Sequence, residues 1–584
     1  MGVCPALLRV VTFSASGAPP QKFPTSMPRR RTARPPQTST PAPHAPSAPP
    51  RARRKPRAWQ IALGLAALNL VLVLLAFEPT PYTGGDNGAY YALARSLAEG
   101  QGYLELWDPA RRPHAQYPPV FPAILAAGMK LGVSSWAGFK LIVALFAAAA
   151  VALSYLWVRR TSTPGVALAS GVLLALCPGV ILYAHYELSD VPFWAFTMLA
   201  LWGFSHLDPR SPAAPDGERM GDAGWVAVAI VGAGLAHFTR SAGLPLLVAA
   251  AVWLAATRRW KALAALAATL GPLILVWGMR GARLGSTGYL GAFRYVNPYQ
   301  PSLGTVGPLD LLERIADNGG RYLGTLEGVL LLGTPDAGFL FGCVVTALAI
   351  AGWARAARRP GVAELWVPMY VGLLLLWPPT WAGERFLIPF LPLALRYGGE
   401  AVRDLAARWS AARWPAALAA AAMGAAMLPS LVEEVQIGAS CRGAAVAGRT
   451  YNCIQQPWRD FFILARDLRG KLPAGSAVIN RKPTLFYALS GYPGRMYPLA
   501  VAPPDTFFRA AREVKASYVV IDQIEDLAPI YLHPVLLEHR DDFCVVGPVS
   551  REYAALARIV PGGPPRAADA PPNAFRPCGL LTER

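Results

Sequence analysis

Residues 51–77 read RARRKPRAWQIALGLAALNLVLVLLAF: a basic run from Arg51 to Arg57, then the uncharged apolar run Ala58–Phe77. A helix needs about 20 apolar residues to cross the hydrocarbon of a bilayer. A basic flank holds its end of a span in the cytoplasm. No small-residue cleavage site precedes Glu78, so the run reads as a first transmembrane span rather than a secretory signal.

The same alternation repeats down the chain. Further apolar runs lie at 137–158, 164–184, 191–207, 224–239, 243–257, 262–279, 337–354, 363–378, 386–402 and 414–430. Between them, Arg159–Arg160, the 208–223 connection, Arg258–Lys261, Arg355–Arg359 and Arg403–Arg413 carry basic residues, with 208–223 mixed in sign. These fall on every second connection and read as cytoplasmic. The connections 78–136, 185–190, 240–242, 280–336 and 379–385 then face the other side, and an odd number of spans leaves 431–584 there too. Tyr117–Leu131 is apolar but short, and counting it as a span would invert everything after it. It is expected to be an interfacial or re-entrant helix, opened by Tyr117, Pro118, Pro119 and Pro122. Such backbone is tolerated at membrane depth where protein or a water-filled cavity covers it.

Composition agrees with a polytopic membrane protein. The chain is 54% hydrophobic and 15% charged, against about 25% charged for soluble domains. The net charge of +20 sits in the short connections, which removes the case for nucleic-acid binding. Residues 1–56 are rich in Pro, Arg, Ser and Ala and hold no acid. They predict a disordered basic cytoplasmic tail, with Met27 as an alternative start.

The expected fold is mainly α: about 11 transmembrane helices over 57–430, with a long first outer loop at 78–136. A small α/β domain at 431–584 follows on the extracytoplasmic side. In that domain Pro457–Leu468 has helical spacing, while Ala477–Ile479, Tyr518–Ile521 and Phe543–Val546 read as short buried strands. Cys441, Cys453, Cys544 and Cys578 all lie there. An oxidising compartment permits two disulfides among them, and the short loop favours Cys441–Cys453. Cys177 and Cys343 fall within spans as packing residues.

The residues able to carry chemistry cluster at outer span ends. Asp86, in Gly85-Asp86-Asn87-Gly88-Ala89-Tyr90-Tyr91, stands where a short amphipathic helix begins, with Tyr90 on its apolar face. It reads either as a helix cap or as a general base for an acceptor hydroxyl. Glu187 and Asp190 lie three apart in His185-Tyr186-Glu187-Leu188-Ser189-Asp190-Val191-Pro192. The bland reading is a solvated turn with Asp190 as a cap. The alternative is a pair of ligands for a divalent cation, magnesium or manganese.

Arg240 follows a span on the cation-poor side, where an arginine costs about 2.5–3.5 kcal/mol at membrane depth. It calls for a partner: Asp190 or a phosphate. Glu384 and Arg385 stand at another outer span end, either as an interfacial ion pair or with Arg385 as a fork for phosphate oxygens. Arg280, Arg283 and Arg294 add positive charge in the 280–336 loop. Carboxylates beside phosphate-binding cations suit transfer of a sugar from a lipid phosphate. The phosphate leaves, a carboxylate activates the acceptor, and a single displacement inverts the anomeric carbon.

The order of these parts resembles the GT-C glycosyltransferase superfamily, and within it the bacterial protein-mannosyltransferase and aminoarabinose-transferase group. The resemblance rests on the Gly85–Tyr91 loop, Tyr117-Pro118-Pro119-Val120-Phe121-Pro122, the Ser189–Pro192 turn and Glu384-Arg385-Phe386-Leu387-Ile388-Pro389-Phe390-Leu391-Pro392. It covers residues 60–400. It implies catalysis on the extracytoplasmic face, and the basic flank of the first span puts the N-terminus of this plasma-membrane protein in the cytoplasm. The donor is a polyprenyl-phosphate-linked sugar and the acceptor a lipid, glycan or protein. Asp86 is carried over as the catalytic residue and Asp190 as the second acid, with Glu187 beside it; the placement of Arg240 and Arg385 on the cation-poor side, not the resemblance, offers them as donor-phosphate ligands. Tyr90, Tyr117 and Glu384 support them. Many members have an acid where this chain has Asn87, which leaves the metal requirement open. The rival reading is a transporter or flippase of polyprenyl-linked glycans or other lipids. It is disfavoured because polar residues gather at span ends rather than mid-span and no repeat relates the two halves.

Overall fold

The computed structural model describes residues 57–210, 220–286, 288–300, 303–323, 327–409, 414–499, 505–562 and 575–578. The basic tail expected at 1–56 lies outside them.

The first half is built from α1 (Ala58–Leu75), α2 (Asp86–Ala98), α3 (Val120–Lys130), α4 (Trp136–Thr161), α5 (Pro164–Leu176), α6 (Pro178–Ala184), α7 (Asp190–Leu207), α8 (Asp222–Thr239), α9 (Leu244–Ala256) and α10 (Trp260–Arg283). After α11 (Gly288–Phe293), α12 (Pro308–Arg321) and α13 (Glu327–Leu332) come the long helices α14 (Pro335–Ala356), α15 (Val362–Leu376), α16 (Leu391–Trp409) and α17 (Trp414–Val446). Helices thus occur at every expected span. Six of the described helices are long and apolar enough to cross a membrane alone, and a seventh is gained if α5 and α6 form one broken span. Those two meet at 52°. The break follows from Pro178, which lacks an amide hydrogen and pushes Cys177 into extended backbone.

Spacing on α1 explains its seat. Ala62, Leu65, Asn69 and Val73 are buried at helical intervals, while Leu63, Leu68, Val71 and Leu75 are exposed. The buried Asn69 Nδ2 donates to Ala175 O at 3.3 Å, a bond across to α5. Between α7 and α8 the backbones touch. A Cβ on Gly203 would fall 2.7 Å from Ala229 N, and one on Gly232 2.6 Å from Ala200 N. Such small-residue contact is how apolar helices approach closely where no hydrophobic drive separates them from lipid. The pair runs antiparallel, so the start of α7 meets the end of α8.

At the far end of the bundle, Glu364 of α15 accepts from Arg396 Nη1 and Tyr397 OH of α16, each at 2.8 Å, and all three are buried. α3 is an 11-residue helix, too short to span. It packs against α2 through Tyr90 and Phe121, whose rings lie 4.9 Å apart, edge to face.

The sequence ends the last span at 430, but α17 runs on to Val446. Glu433 and Glu434 stop the apolar run without stopping the helix. Further along α17, Arg442 Nη1 donates to the carbonyls of Leu74, Leu75 and Phe77 and so satisfies the end of α1.

Beyond it lie α18 (Gln456–Asp467), β1 (Ala477–Ile479), α19 (Pro483–Ser490), β2 (Gly494–Arg495), α20 (Asp505–Glu513), β3 (Ala516–Asp522), α21 (Ala528–Tyr531), α22 (His533–Glu538), β4 (Phe543–Val545), β5 (Ala554–Ile559) and β6 (Arg576–Pro577). The strands form one mixed sheet in the order β2-β1-β3-β5-β4-β6. β1 pairs in parallel with β2 and β3, and β5 runs antiparallel to β3 and β4. Alternate residues feed opposite faces, as the pleat requires. Val478, Val520 and Leu556 join a core with α18 and α19, whereas Ile479, Val519 and Ala557 join one with α20 and α22. Disulfides link Cys441 to Cys453 and Cys544 to Cys578.

Candidate functional site

The close packing of α7 on α8 brings Asp190, the first residue of α7, against Arg240, the first residue after α8. Arg240 Nη1 lies 2.7 Å from Asp190 Oδ1 and donates to Ser189 Oγ at 3.2 Å. Ser189 in turn shares a hydrogen bond of 2.9 Å with the Tyr90 hydroxyl. Of the two partners expected for Arg240, the folded chain supplies Asp190. Asp190 Oδ2 is buried and takes no hydrogen bond from the protein. A buried acceptor left open is costly unless something else uses it.

Asp86 approaches from the other side. It opens α2 after Gly85, whose φ of 97° is the left-handed turn that glycine adopts without strain. The Asp86 side chain does not cap its own helix. Its Oδ1 accepts from the Tyr117 hydroxyl at 3.1 Å, and its Oδ2 from Arg385 Nη1 at 3.2 Å. Arg385 stands in the short 3₁₀ turn Glu384–Phe390 that leads into α16. Phe386 joins the two ion pairs, with Arg240 Cζ 5.0 Å and Arg385 Cζ 5.2 Å from its ring centroid. The Asp86 side chain is 34% exposed and that of Asp190 only 3%. The first is open to a reactant; the second is a fixed charge.

Glu187 takes a bracing position. Its Oε2 accepts from Tyr82 N and Asn87 Nδ2, both at 3.1 Å, and Lys140 Nζ stands 3.9 Å from Oε1. Burial pushes this carboxyl above its ordinary range, against the pull of Lys140. Asn87 also donates to Tyr82 O at 2.8 Å, so with its bond to Glu187 it ties the first loop to the second. Tyr82 stacks on Tyr186 at 4.0 Å in the same joint.

As candidate ligands of a shared divalent cation, Glu187 and Asp190 are turned to different partners. Among the described residues no group of three or more His, Cys, Asp or Glu side chains converges. Glu384 accepts from Tyr183 OH at 2.9 Å, while its neighbour Arg385 turns to Asp86. Arg280 bonds His114 O and lies over the rings of Tyr103 and Trp277.

Lys140, Ser189 and Phe386 escape the sequence reading. Lys140 offered a signal: a lone cation within an apolar run, buried to 1% exposure in the structure. Ser189 and Phe386 stood inside quoted motifs without a role of their own, since their roles come from what lies across from them.

Residues 116–278 match the family described as dolichyl-phosphate-mannose-protein mannosyltransferase. That stretch holds Tyr117, Glu187, Asp190 and Arg240, and excludes Asp86 and Arg385. No curated protein sequence matches the chain. Among solved structures, apo ArnT from Cupriavidus metallidurans superposes at a TM-score of 0.50 with 15% identity, over 87% of this chain and 100% of ArnT. The same ArnT bound to undecaprenyl phosphate gives 0.48 with 16% identity, over 86% and 99%. The apo oligosaccharyltransferase of Archaeoglobus fulgidus gives 0.50 with 13% identity, over 85% of this chain and 74% of its own. The chain has the GT-C fold of these membrane glycosyltransferases.

Proposed function

We propose that this chain transfers a sugar from a polyprenyl-phosphate carrier to an acceptor hydroxyl on a lipid, glycan or protein, with inversion at the anomeric carbon. The observation that carries the reading is the joined pair of ion pairs, Asp86–Arg385 and Asp190–Arg240, around Phe386. The matched family's description, with its dolichyl-phosphate sugar donor, supports the same class.

In this mechanism Asp86 accepts the proton of the acceptor hydroxyl as that oxygen bonds to the anomeric carbon. The bond from that carbon to the phosphate oxygen breaks, and its electron pair leaves on the phosphate. Arg385 and Arg240 bear the charge that grows on the leaving group, where fixed donors act without reorganising. Tyr117 holds Asp86 through one oxygen, and Asp190 keeps Arg240 aimed. The transition state has oxocarbenium character, as in glycoside hydrolysis. Asp86 is suited to be the base because it is the accessible carboxylate of the two.

The loop-one end of the bundle is placed on the extracytoplasmic side. The basic connections at the opposite end support this, as do the two disulfides of the C-terminal domain.

The test is release of polyprenyl phosphate from polyprenyl-phosphate hexoses and pentoses, by purified protein in lipid with an envelope extract as acceptor. The native chain should turn over at least one of these donors. Asp86→Asn should lower the rate by about 10²–10⁴-fold while the thermal midpoint is kept. Turnover undiminished in Asp86→Asn removes it as the base.

A further inference from the structure

The C-terminal sheet places β1 between β2 and β3, all parallel, so the chain leaves β1 on one side and returns on the other. In open α/β sheets the crevice beyond the carboxyl ends of such strands is where ligands bind. Here the chain's own first loop meets those strand ends. Three residues beyond β1, Lys482 Nζ donates to Gly84 O at 3.2 Å, and Thr484 Oγ1 donates to Gly85 O at 2.8 Å. These carbonyls belong to the turn immediately before Asp86. Three residues beyond β3, Glu525 holds both Lys482 and Arg481.

Two observations say that this contact is built rather than incidental. Glu525 has a φ of 56°, a left-handed conformation that costs a non-glycine residue of order 1 kcal/mol and persists where the surroundings impose it. At Gly88, one turn into α2, an added Cβ would lie 2.6 Å from the backbone of Thr484 and Leu485. The start of α2 thus rests directly on the start of α19. Lys482 is buried enough that its ammonium is drawn below the ordinary lysine value, against the pull of Glu525.

Resting on the function proposed above, we infer that Lys482 and Thr484 are positioning residues. They fix the Gly84–Gly85 turn from the C-terminal domain and so set where the Asp86 carboxylate stands. Neither touches the reacting atoms. Glu525 holds Lys482 in place, which makes the C-terminal domain part of the catalytic geometry rather than an appendage. A carboxylate displaced by 1 Å can lose about 10²-fold in rate.

The experiment uses the full chain in lipid, with Lys482→Met, Thr484→Val and Lys482→Arg. Two readouts are taken: steady-state release of polyprenyl phosphate, and amide hydrogen exchange of the 82–90 segment. Lys482→Met and Thr484→Val should each lower kcat by roughly 10–100-fold with KM for the lipid donor unchanged, and should speed exchange in 82–90. Lys482→Arg, which keeps a donor, should recover most of both. Unchanged exchange in 82–90 overturns the inference, as does a loss seen in KM alone or only as a lower thermal midpoint with native kcat. If the native chain turns over no donor yet exchange responds as stated, the positioning stands and the transferase reading falls.

Discussion

Single residues here are read through their partners. Arg240 could be singled out from sequence because a guanidinium on the cation-poor side needs an anion, and Asp190 meets it at 2.7 Å. Asp86 was equally visible, as an acid at a helix start read as a cap or a general base, but the side chains that hold it were not, because Tyr117 and Arg385 come to it from 31 and 299 residues away. The two arginines should differ when removed. Arg385 pairs with a partly exposed carboxylate, so Arg385→Ala should raise KM for the lipid donor with less loss of stability than Arg240→Ala. Arg240→Ala strands a buried Asp190 and should also cost about 3–5 kcal/mol. Donor titration and thermal unfolding of both variants check this; unchanged KM in both removes them from the phosphate site. A third residue, Asp522, is wholly buried at the end of β3, and burial pushes its carboxyl up to about 7. The folded form then holds a proton that the unfolded form has released between the ordinary carboxyl range and pH 7. Stability therefore falls as pH rises through that window, by at most about 1.4 kcal/mol per pH unit. Asp522→Asn should flatten that slope and melt higher than the native chain at pH 8, which a thermal scan at pH 5.5 and 8 measures; an unaltered slope contradicts it.

Among elements, the apolar runs were legible because each span must bury or present to lipid a continuous stretch. The exceptions have physical causes. The α5–α6 bend at Pro178 divides what reads as one run. α17 outlasts its apolar stretch because backbone hydrogen bonding continues through Glu433 and Glu434. β5 was missed: Ala554-Ala555-Leu556-Ala557 favours helix locally, and pairing with β3 and β4 overrides it. The continuation of α17 has a consequence at the membrane edge, where Arg442 gathers the last carbonyls of α1. Arg442→Ala should lower stability by about 1–2 kcal/mol and leave donor KM unmoved, as unfolding and donor titration would report. The buried Glu364–Arg396 pair at the far end of the bundle gives a useful contrast. It is a charged, buried network that ties α15 to α16, so charge and burial alone do not mark the reacting site.

Across the whole molecule, the alternation of basic connections predicted that the first loop, the 185–190 turn and the 379–385 connection share one end of the bundle. Hydrogen bonds from Tyr82 to Glu187 and from Arg385 to Asp86 join these segments. The docking of the C-terminal domain on loop one was not legible, since Lys482 and Gly84 are 398 residues apart and no local pattern encodes the contact. The same end of the molecule thus collects the Asp86 carboxylate, two guanidinium groups and a second domain that contacts the turn before Asp86. The claim that joins these parts is that a lipid phosphate lies between Arg240 and Arg385 with Asp86 facing the anomeric carbon. A cryo-electron microscopy map of the full chain in lipid with polyprenyl phosphate tests it most directly. Phosphate density within hydrogen-bond reach of both guanidinium groups, beside Phe386, is the predicted result; density seated elsewhere, with both Asp–Arg pairs untouched, would contradict it.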